Sequence, residues 1–300
     1  MPELLRENIF SQSQLASISS AFFICYGIGQ LLSGRLGDKF SPEIMIFLGT
    51  FISALTNIFI FFLYKYHICL AILWGINGAV QSLVWSPMLR IAGDCFDKKD
   101  MVKVGTDIST TVTIGTLSGY GISLLTLVFL PWNYVFFTCG LSTMAASFFW
   151  IIKTKKLNLS GNEAVKESRK SKKTISAVQL VKLLASSGCL LLMLPIAIHG
   201  TLKDSVTQWT PTFFDSYFNL GTDISIIITM VLPIVNVSGA YIAREINKHL
   251  KNEFKTSVVF FCVAMVFLLI MLYLGIKNPV FALLCVAVIT TCMHAINVMF

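Results

Sequence analysis

Charged side chains are scarce in this sequence. Only 13% of its 300 residues are Asp, Glu, Lys or Arg, whereas 55% are hydrophobic, and the mean hydropathy is +0.77. Soluble domains carry roughly 25% charged residues and need that polarity to cover their cores. The shortage excludes an ordinary soluble enzyme, a disordered chain and a nucleic-acid-binding protein. It indicates a polytopic membrane protein.

Patterns for covalent, metal or cofactor chemistry are also missing. The eight cysteines include no CxxC pair, and the four histidines have no metal-ligand spacing. There is no Gly-rich phosphate loop and no pairing of a nucleophile with a base. The first fourteen residues are polar and lack the apolar core of a signal peptide. We therefore expect no enzymatic activity, no cofactor and no metal site.

Long apolar stretches dominate what the sequence does contain. A helix needs about 20 apolar residues to cross the ~30 Å hydrocarbon core of a bilayer. Nine stretches of this kind predict nine transmembrane helices in an all-α fold. They are 15–36, 43–64, 68–91, 101–128, 131–152, 188–214, 222–243, 256–276 and 279–300.

The lysines and arginines predict which side of the membrane each loop faces. Eighteen of the 23 fall in, or at the edges of, the loops after the first, third, fifth and seventh spans, and three fall on the opposite side. Cytoplasmic loops carry the excess of positive charge, so these four loops are predicted to be cytoplasmic. The most basic of them, 153–187, is predicted to be a linker that contains a short amphipathic helix at 174–185. The net charge of +8 is therefore a topology signal of a multi-pass cell-membrane protein.

Two parts of the chain resemble each other weakly. MPELLRENIFSQSQLA at 1–16 aligns with TPTFFDSYFNLGTDIS at 210–225, and SGRLGDK at Ser33–Lys39 aligns with SGAYIAREINK at Ser238–Lys248. The order of these matches predicts a parallel repeat of two six-helix halves.

In that scheme, residues 1–152 form helices 2–6 of an N-terminal half, and residues 188–300 form helices 7–10 of a C-terminal half. The linker 153–187 joins the two halves. Nine of an expected twelve helices are then present, without the first and the last two.

Three motifs resemble a superfamily of transport proteins. GRLGDKF, from Gly34 to Phe40, is similar to the loop motif between the second and third helices of the major facilitator superfamily. With NGAVQSLVWSPMLR at Asn77–Arg90 and QWTPTFF at Gln208–Phe214, it resembles the organophosphate–phosphate antiporter family. That family includes the glycerol-3-phosphate and hexose-6-phosphate exchangers. The resemblance implies a secondary active transporter, in which two halves expose a central cavity alternately to each side.

The resemblance also implies where an anion would bind. Members of the family hold the substrate phosphate between arginines on their first and seventh helices. This sequence has Lys203 at the seventh-helix position, Gln30 where glycerol phosphate members carry a lysine, and the run Thr110–Thr113 where they carry a histidine. A lysine keeps the positive charge of arginine but not its bidentate fork.

We therefore expect a monomer in the lipid bilayer that moves a small organic anion, such as a phosphate ester, by antiport. Inorganic phosphate or protons would be the counter-species. Two alternatives remain open at this point: a proton-coupled transporter of a sugar or drug, and a transporter-like membrane sensor of an external ligand.

Polar side chains on the predicted membrane helices give the candidate site residues, because lipid cannot satisfy them. In the span 188–214, Pro195, Gly200 and Pro211 are expected to interrupt the helix, as is tolerated beside a cavity. Lys203 in the same span is expected to meet substrate, with snorkelling to the outer interface as the alternative. The substrate-binding candidates are Lys203, Gln81, Tyr26, Gln30, Asn77, Trp85 and His294.

Several of these residues have a second interpretation. Asn77, Gln81 and Trp85, spaced four residues apart, bridge helices equally well, and His294 packs equally well. The candidates for coupling or gating are Asp107, Asp204, Arg90 and Asp38. Gly34 is expected to allow close helix packing, and Asp38 to cap or pair across its loop.

Overall fold

The computed structural model describes residues 2–97, 101–157, 189–274 and 278–299, with a few single positions between 179 and 186. The regular structure in these ranges is helical. Residues 189–197 and Asp38 are among those described by their backbone alone. The helices in these ranges are α1 (Pro2–Arg6), α2 (Gln12–Lys39), α3 (Pro42–Leu63), α4 (His67–Cys95), α5 (Met101–Phe129), α6 (Tyr134–Leu157), α7 (Cys189–Phe218), α8 (Thr222–Leu250), α9 (Glu253–Leu274) and α10 (Pro279–Met299).

Eight helices of the described part are long and apolar enough to cross a membrane, namely α2–α6 and α8–α10. They coincide with eight of the nine predicted spans, which confirms a multi-pass membrane protein. The ninth predicted span, 188–214, corresponds to α7, a helix of 30 residues. The expected interruption of this helix is wrong, because α7 runs on through Gly200 and Pro211. A membrane helix tolerates the loss of the hydrogen bond that proline removes, and α4 and α8 likewise continue through Pro87 and Pro233.

Local signals set several helix ends. Ser11 caps α2 with a reciprocal capping box: the Gln14 amide N–H donates to Ser11 Oγ at 3.3 Å, and the Ser11 amide N–H donates to Gln14 Oε1 at 2.9 Å. Pro42 opens α3, where its missing N–H costs no helical bond. Lys251 ends α8 in the left-handed region, with φ at 49°.

The chain divides into two compact units, the first comprising Glu3–Ile108 and Ser118–Lys173 and the second Ser109–Leu117 and Thr174–Phe300. In the described part, the first unit thus contains α1–α4, α6 and both ends of α5, and the second contains α7–α10 with the middle of α5. The predicted amphipathic segment 174–185 and most of the predicted linker lie outside the described residues.

In the first unit, α4 packs against both α2 and α3, and α3 also packs against α6. Gly78 of α4 lies directly against the backbone of α2, where a Cβ would collide with the Phe22 carbonyl group. The expectation for Gly34 is wrong, because a Cβ there would meet no described atom within 4 Å. Gly34 instead borders a cavity at the end of α2.

In the second unit, α10 is the central helix and packs against α7, α8 and α9. Half of its most apolar stretch is buried, against a third or less for the other candidate spans. Small side chains allow this close approach, since a Cβ at Gly239 of α8 would lie 2.5 Å from the Thr291 carbonyl oxygen. The core between α8, α9 and α10 consists of Ala243, Phe260, Ala264, Cys292, Met293, Ala295 and Ile296.

Candidate functional site

Lys203 and Asp204 place an ion pair on α7. The Lys203 Nζ lies 3.4 Å from Asp204 Oδ1, and the two side chains are 33% and 48% exposed. Because both side chains are partly exposed, both predicted residues are accessible to a ligand from the surface of the second unit. Charged groups on a membrane helix are costly and mark functional sites by default.

His199 lies one turn before Lys203 on α7 and is buried, with 4% of its surface exposed. Its Nε2 is 2.6 Å from the backbone carbonyl oxygen of Met293 on α10. A carbonyl oxygen only accepts, so Nε2 must carry the hydrogen and donate. The ring also meets the edge or face of Phe261 at an interplanar angle of 90°. This hydrogen bond joins α7 to α10 at the residue that precedes His294.

His294, a predicted substrate-binding residue, lies on α10 near the ion pair. Its Nε2 is buried and has no hydrogen-bond partner among the described residues. His294 directly follows Met293, which accepts the hydrogen bond from His199, and His199 lies one turn before Lys203 on α7. The structure thus brings Lys203, Asp204 and His294 into one polar cluster of the second unit, together with His199.

A further polar contact lies one turn before His294. The side-chain oxygen Oδ1 of Asn236 on α8 accepts hydrogen bonds from Thr290 Oγ1 at 2.9 Å and Thr291 Oγ1 at 3.2 Å. Hydrogen bonds between side chains of neighbouring membrane helices add modestly to their association. This contact holds α8 against α10 beside the polar cluster.

In the first unit, Asn77 and Gln81 bridge helices α3 and α4. Asn77 is only 1% exposed, and its Oδ1 accepts a hydrogen bond of 2.6 Å from Ser53 Oγ and one of 3.2 Å from Gln81 Nε2. Gln81 Nε2 also lies 3.3 Å from Ser53 Oγ. These contacts correspond to the bridging interpretation, and a substrate role for either residue stays a prediction.

Tyr26 and Gln30 of α2 and Trp85 of α4 have different surroundings. The ring of Tyr26 stacks on Phe22 with centroids 6.0 Å apart. Gln30 Oε1 accepts a hydrogen bond of 3.0 Å from Ser86 Oγ, which links α2 to α4. Trp85 is exposed. Their predicted contacts with substrate stay predictions.

Arg90 connects the ends of α2 and α4. Its Nη1 donates to the Gly37 carbonyl oxygen, and its Nε lies 3.9 Å from Asp94 Oδ2. Arg90 borders a cavity of about 240 Å³ together with Ser33, Gly34, Gly37, Pro42, Met45, Ser86 and Pro87. A role of Arg90 in gating stays a prediction that this position fits.

The two remaining predicted residues give less structural information. The side chain of Asp38 lies outside the described part, and Asp107 is exposed on α5. Within the part of the chain that is described, no three His, Cys, Asp or Glu side chains are grouped as metal ligands. Sequence reasoning overlooked His199. Its spacing of four residues from Lys203, which places both on one face of α7, was the available signal.

The fold and these motifs agree with what comparison with known proteins shows. The sequence model of the Major Facilitator Superfamily matches residues 1–300, so the chain belongs to this family. The xylose transporter XylE of E. coli has a similar structure, with a TM-score of 0.62 over 97% of this chain and 76% of that protein. At 14% identity, that likeness concerns the fold alone.

Two relatives by sequence are named for phosphate esters. A probable hexose phosphate transport protein of Chlamydia trachomatis is 30% identical over 174 residues, which are 57% of this chain and 37% of that protein. The glycerol-3-phosphate transporter of Bacillus subtilis is 26% identical over 155 residues, 49% of this chain and 34% of that protein. The matched part of this chain thus spans about a third of each relative's length. The family and these relatives place the chain among transport proteins and not among membrane enzymes.

Proposed function

We propose that the protein is a secondary active transporter that exchanges a small organic anion, of the phosphate ester class, for inorganic phosphate. The observation that carries the proposal is Lys203, a cation that is 33% exposed on α7. The names of the relatives, hexose phosphate and glycerol-3-phosphate transport proteins, support the substrate class.

A substrate can replace Asp204 as the partner of Lys203. An exposed ion pair such as Lys203–Asp204 contributes about 0–1 kcal/mol to stability. A charge-assisted hydrogen bond to a phosphate oxygen contributes about 1.5–3 kcal/mol. A phosphate group therefore competes well with Asp204 for the ammonium.

Exchange also suits an anionic substrate energetically. Moving one elementary charge across a membrane changes the free energy by ~2.3 kcal/mol per 100 mV. Carrying one anion in and another out cancels most of this electrical work. Antiport with inorganic phosphate therefore needs no separate driving cation.

Proteoliposomes loaded with inorganic phosphate test this proposal, with labelled glycerol-3-phosphate or hexose 6-phosphate outside. Lys203→Ala should lower uptake about 10- to 100-fold, the loss that corresponds to one charge-assisted hydrogen bond. Lys203→Arg should retain uptake. Lys65→Ala, which removes an exposed lysine outside the cluster, is the matched control and should transport normally.

Three outcomes would contradict the proposal. Unchanged uptake by Lys203→Ala would remove Lys203 from the site. Uptake that needs a proton gradient instead of internal phosphate, and that is lost in Asp204→Asn, would identify a proton-coupled transporter. Specific binding without any accumulation would identify a sensor.

A further inference from the structure

Basic groups outnumber acidic ones in the polar cluster of the second unit. Lys203 and His199 lie one turn apart on α7, His294 follows the Met293 that His199 contacts on α10, and Asp204 is the acidic group, 3.4 Å from Lys203. Lys203 and His294 carry N–H groups that can donate hydrogen bonds to an anion. The two histidines differ in one respect: His199 has a hydrogen-bond partner for its Nε2, and His294 has none among the described residues.

The lone Nε2 of His294 is costly in the state that the structure shows. A buried ring nitrogen without a partner loses about 1–3 kcal/mol of hydrogen bonding relative to water. Native structures rarely retain such a group unless a ligand, an ion or water satisfies it in another state. His199, one turn before Lys203 on α7, is hydrogen-bonded to Met293, the residue before His294 on α10. An anion drawn to Lys203 is therefore held against the same pair of helices as the atom that lacks a partner.

We propose that His294 is the second ligand of the phosphate group: Lys203 binds one phosphate oxygen, and His294 Nε2–H donates a hydrogen bond to another. This inference rests on the proposed function, because it takes the anion to bind at Lys203. Lysine offers no bidentate fork, and a second donor on the neighbouring helix supplies the directional contact that the fork would give. Since Nε2 is buried without ligand, binding requires the imidazole to turn about its side-chain bonds.

The surroundings of His294 determine how its affinity for an anion depends on pH. On α7, the groups near it are His199, which is hydrogen-bonded to the neighbouring Met293, and Lys203, whose ion-pair partner is Asp204. On α8 the uncharged Asn236 contacts α10 one turn before His294, and Arg244 and Glu245 follow about two turns after Asn236. On α9 the sequence 256–272 contains no Asp, Glu, Lys, Arg or His. A protonated His294 should therefore bind phosphate more tightly than a neutral one, so affinity should fall as pH rises.

Calorimetric titration of the purified chain in lipid nanodiscs with inorganic phosphate tests the proposal. His294→Leu should weaken binding about 10- to 100-fold, as expected for the loss of a hydrogen bond to a charged group. His294→Gln, which places an amide N–H near the position of Nε2 but does not titrate, should stay within about threefold of the original protein near pH 6. His249→Gln changes an exposed histidine at the end of α8 and is the matched control.

The pH dependence separates a ligand from a residue that only fills space. Between about pH 5 and pH 8, a range wide enough for histidine titration in a protein, affinity should fall more in the original protein than in His294→Gln. The titration of phosphate itself is common to both proteins and cancels in this comparison. If His294→Leu does not fold, the His294→Gln comparison alone decides, and equal pH profiles would overturn the inference.

Failure of this inference can be told from failure of the proposed function. If Lys203→Ala loses phosphate binding and His294→Leu binds as tightly as the original protein, only the role of His294 is refuted. If Lys203→Ala binds phosphate unchanged, the proposed function fails, and this inference fails with it. Equal weakening by His294→Leu and His294→Gln, with equal pH profiles, would show that the imidazole only supports packing.

Discussion

Replacing Gly78 by alanine should separate α2 from α4. The new Cβ would collide with the Phe22 carbonyl oxygen and would lie 3.0 Å from its carbonyl carbon and 3.2 Å from its Cα. These are backbone atoms of a continuous helix, so no side chain can turn away and the two helices must move apart. Overpacking of this kind costs about 1–3 kcal/mol.

Alanine also stabilises a helix relative to glycine, by about 0.5–1 kcal/mol. Because the clash is with backbone atoms, the upper part of the overpacking range, about 2–3 kcal/mol, applies, and the net destabilisation expected for Gly78→Ala is about 1–2.5 kcal/mol. A domain of 150–250 residues loses about 2–4 °C of Tm per kcal/mol, so the expected decrease is about 2–10 °C. Gly78→Val should lower the Tm further, because its methyl groups meet the same backbone.

Gly115→Ala is the matched control, because a Cβ there would meet no described atom within 4 Å. It should leave the Tm unchanged or raise it slightly. Thermal unfolding of the purified chain in detergent, followed by tryptophan fluorescence, measures both variants. If Gly78→Ala melts at the same temperature as Gly115→Ala or above it, α2 and α4 do not pack as the structure shows.

Two more substitutions test contacts in the first unit. Asn77→Leu leaves the Ser53 hydroxyl without its acceptor and should lower the stability by about 1–2 kcal/mol, whereas the same change in a Ser53→Ala background should cost less. Equal costs in detergent denaturation would contradict the bridge. Trp132→Phe removes the indole N–H that donates to Glu7 Oε1 at 2.7 Å, and should speed proteolysis before α2 without changing the global Tm. Unchanged cleavage would show that this hydrogen bond does not hold the first residues in place.

The membrane-spanning helices could be predicted from the sequence because their signals are local. An apolar run of about 20 residues has to be helical in a bilayer, where each backbone group needs a partner within its own segment. Ser11 with Gln14 marks the start of α2 for the same local reason. The prolines of the sixth predicted span were misleading, because the lipid environment stabilises a helix that proline would break in water.

The candidate site could be predicted only in part. Lys203 stands out in the sequence because a charge within an apolar run is rare and costly. His199 does not, since one buried histidine looks like any other until its partner is known. That partner, the Met293 carbonyl oxygen, is 94 residues away along the chain.

The sequence by itself thus determined the membrane class, the position of the helices and the cationic residue on α7, all of which follow from short-range hydropathy, charge and capping. Only the tertiary structure decided which polar groups are paired. It pairs Asn77 by a hydrogen bond with Ser53 of α3, 24 residues away, and leaves His294 Nε2 without a partner among the described residues. The physical reason is that hydrogen bonds between helices depend on how the helices pack, and no local pattern records that packing.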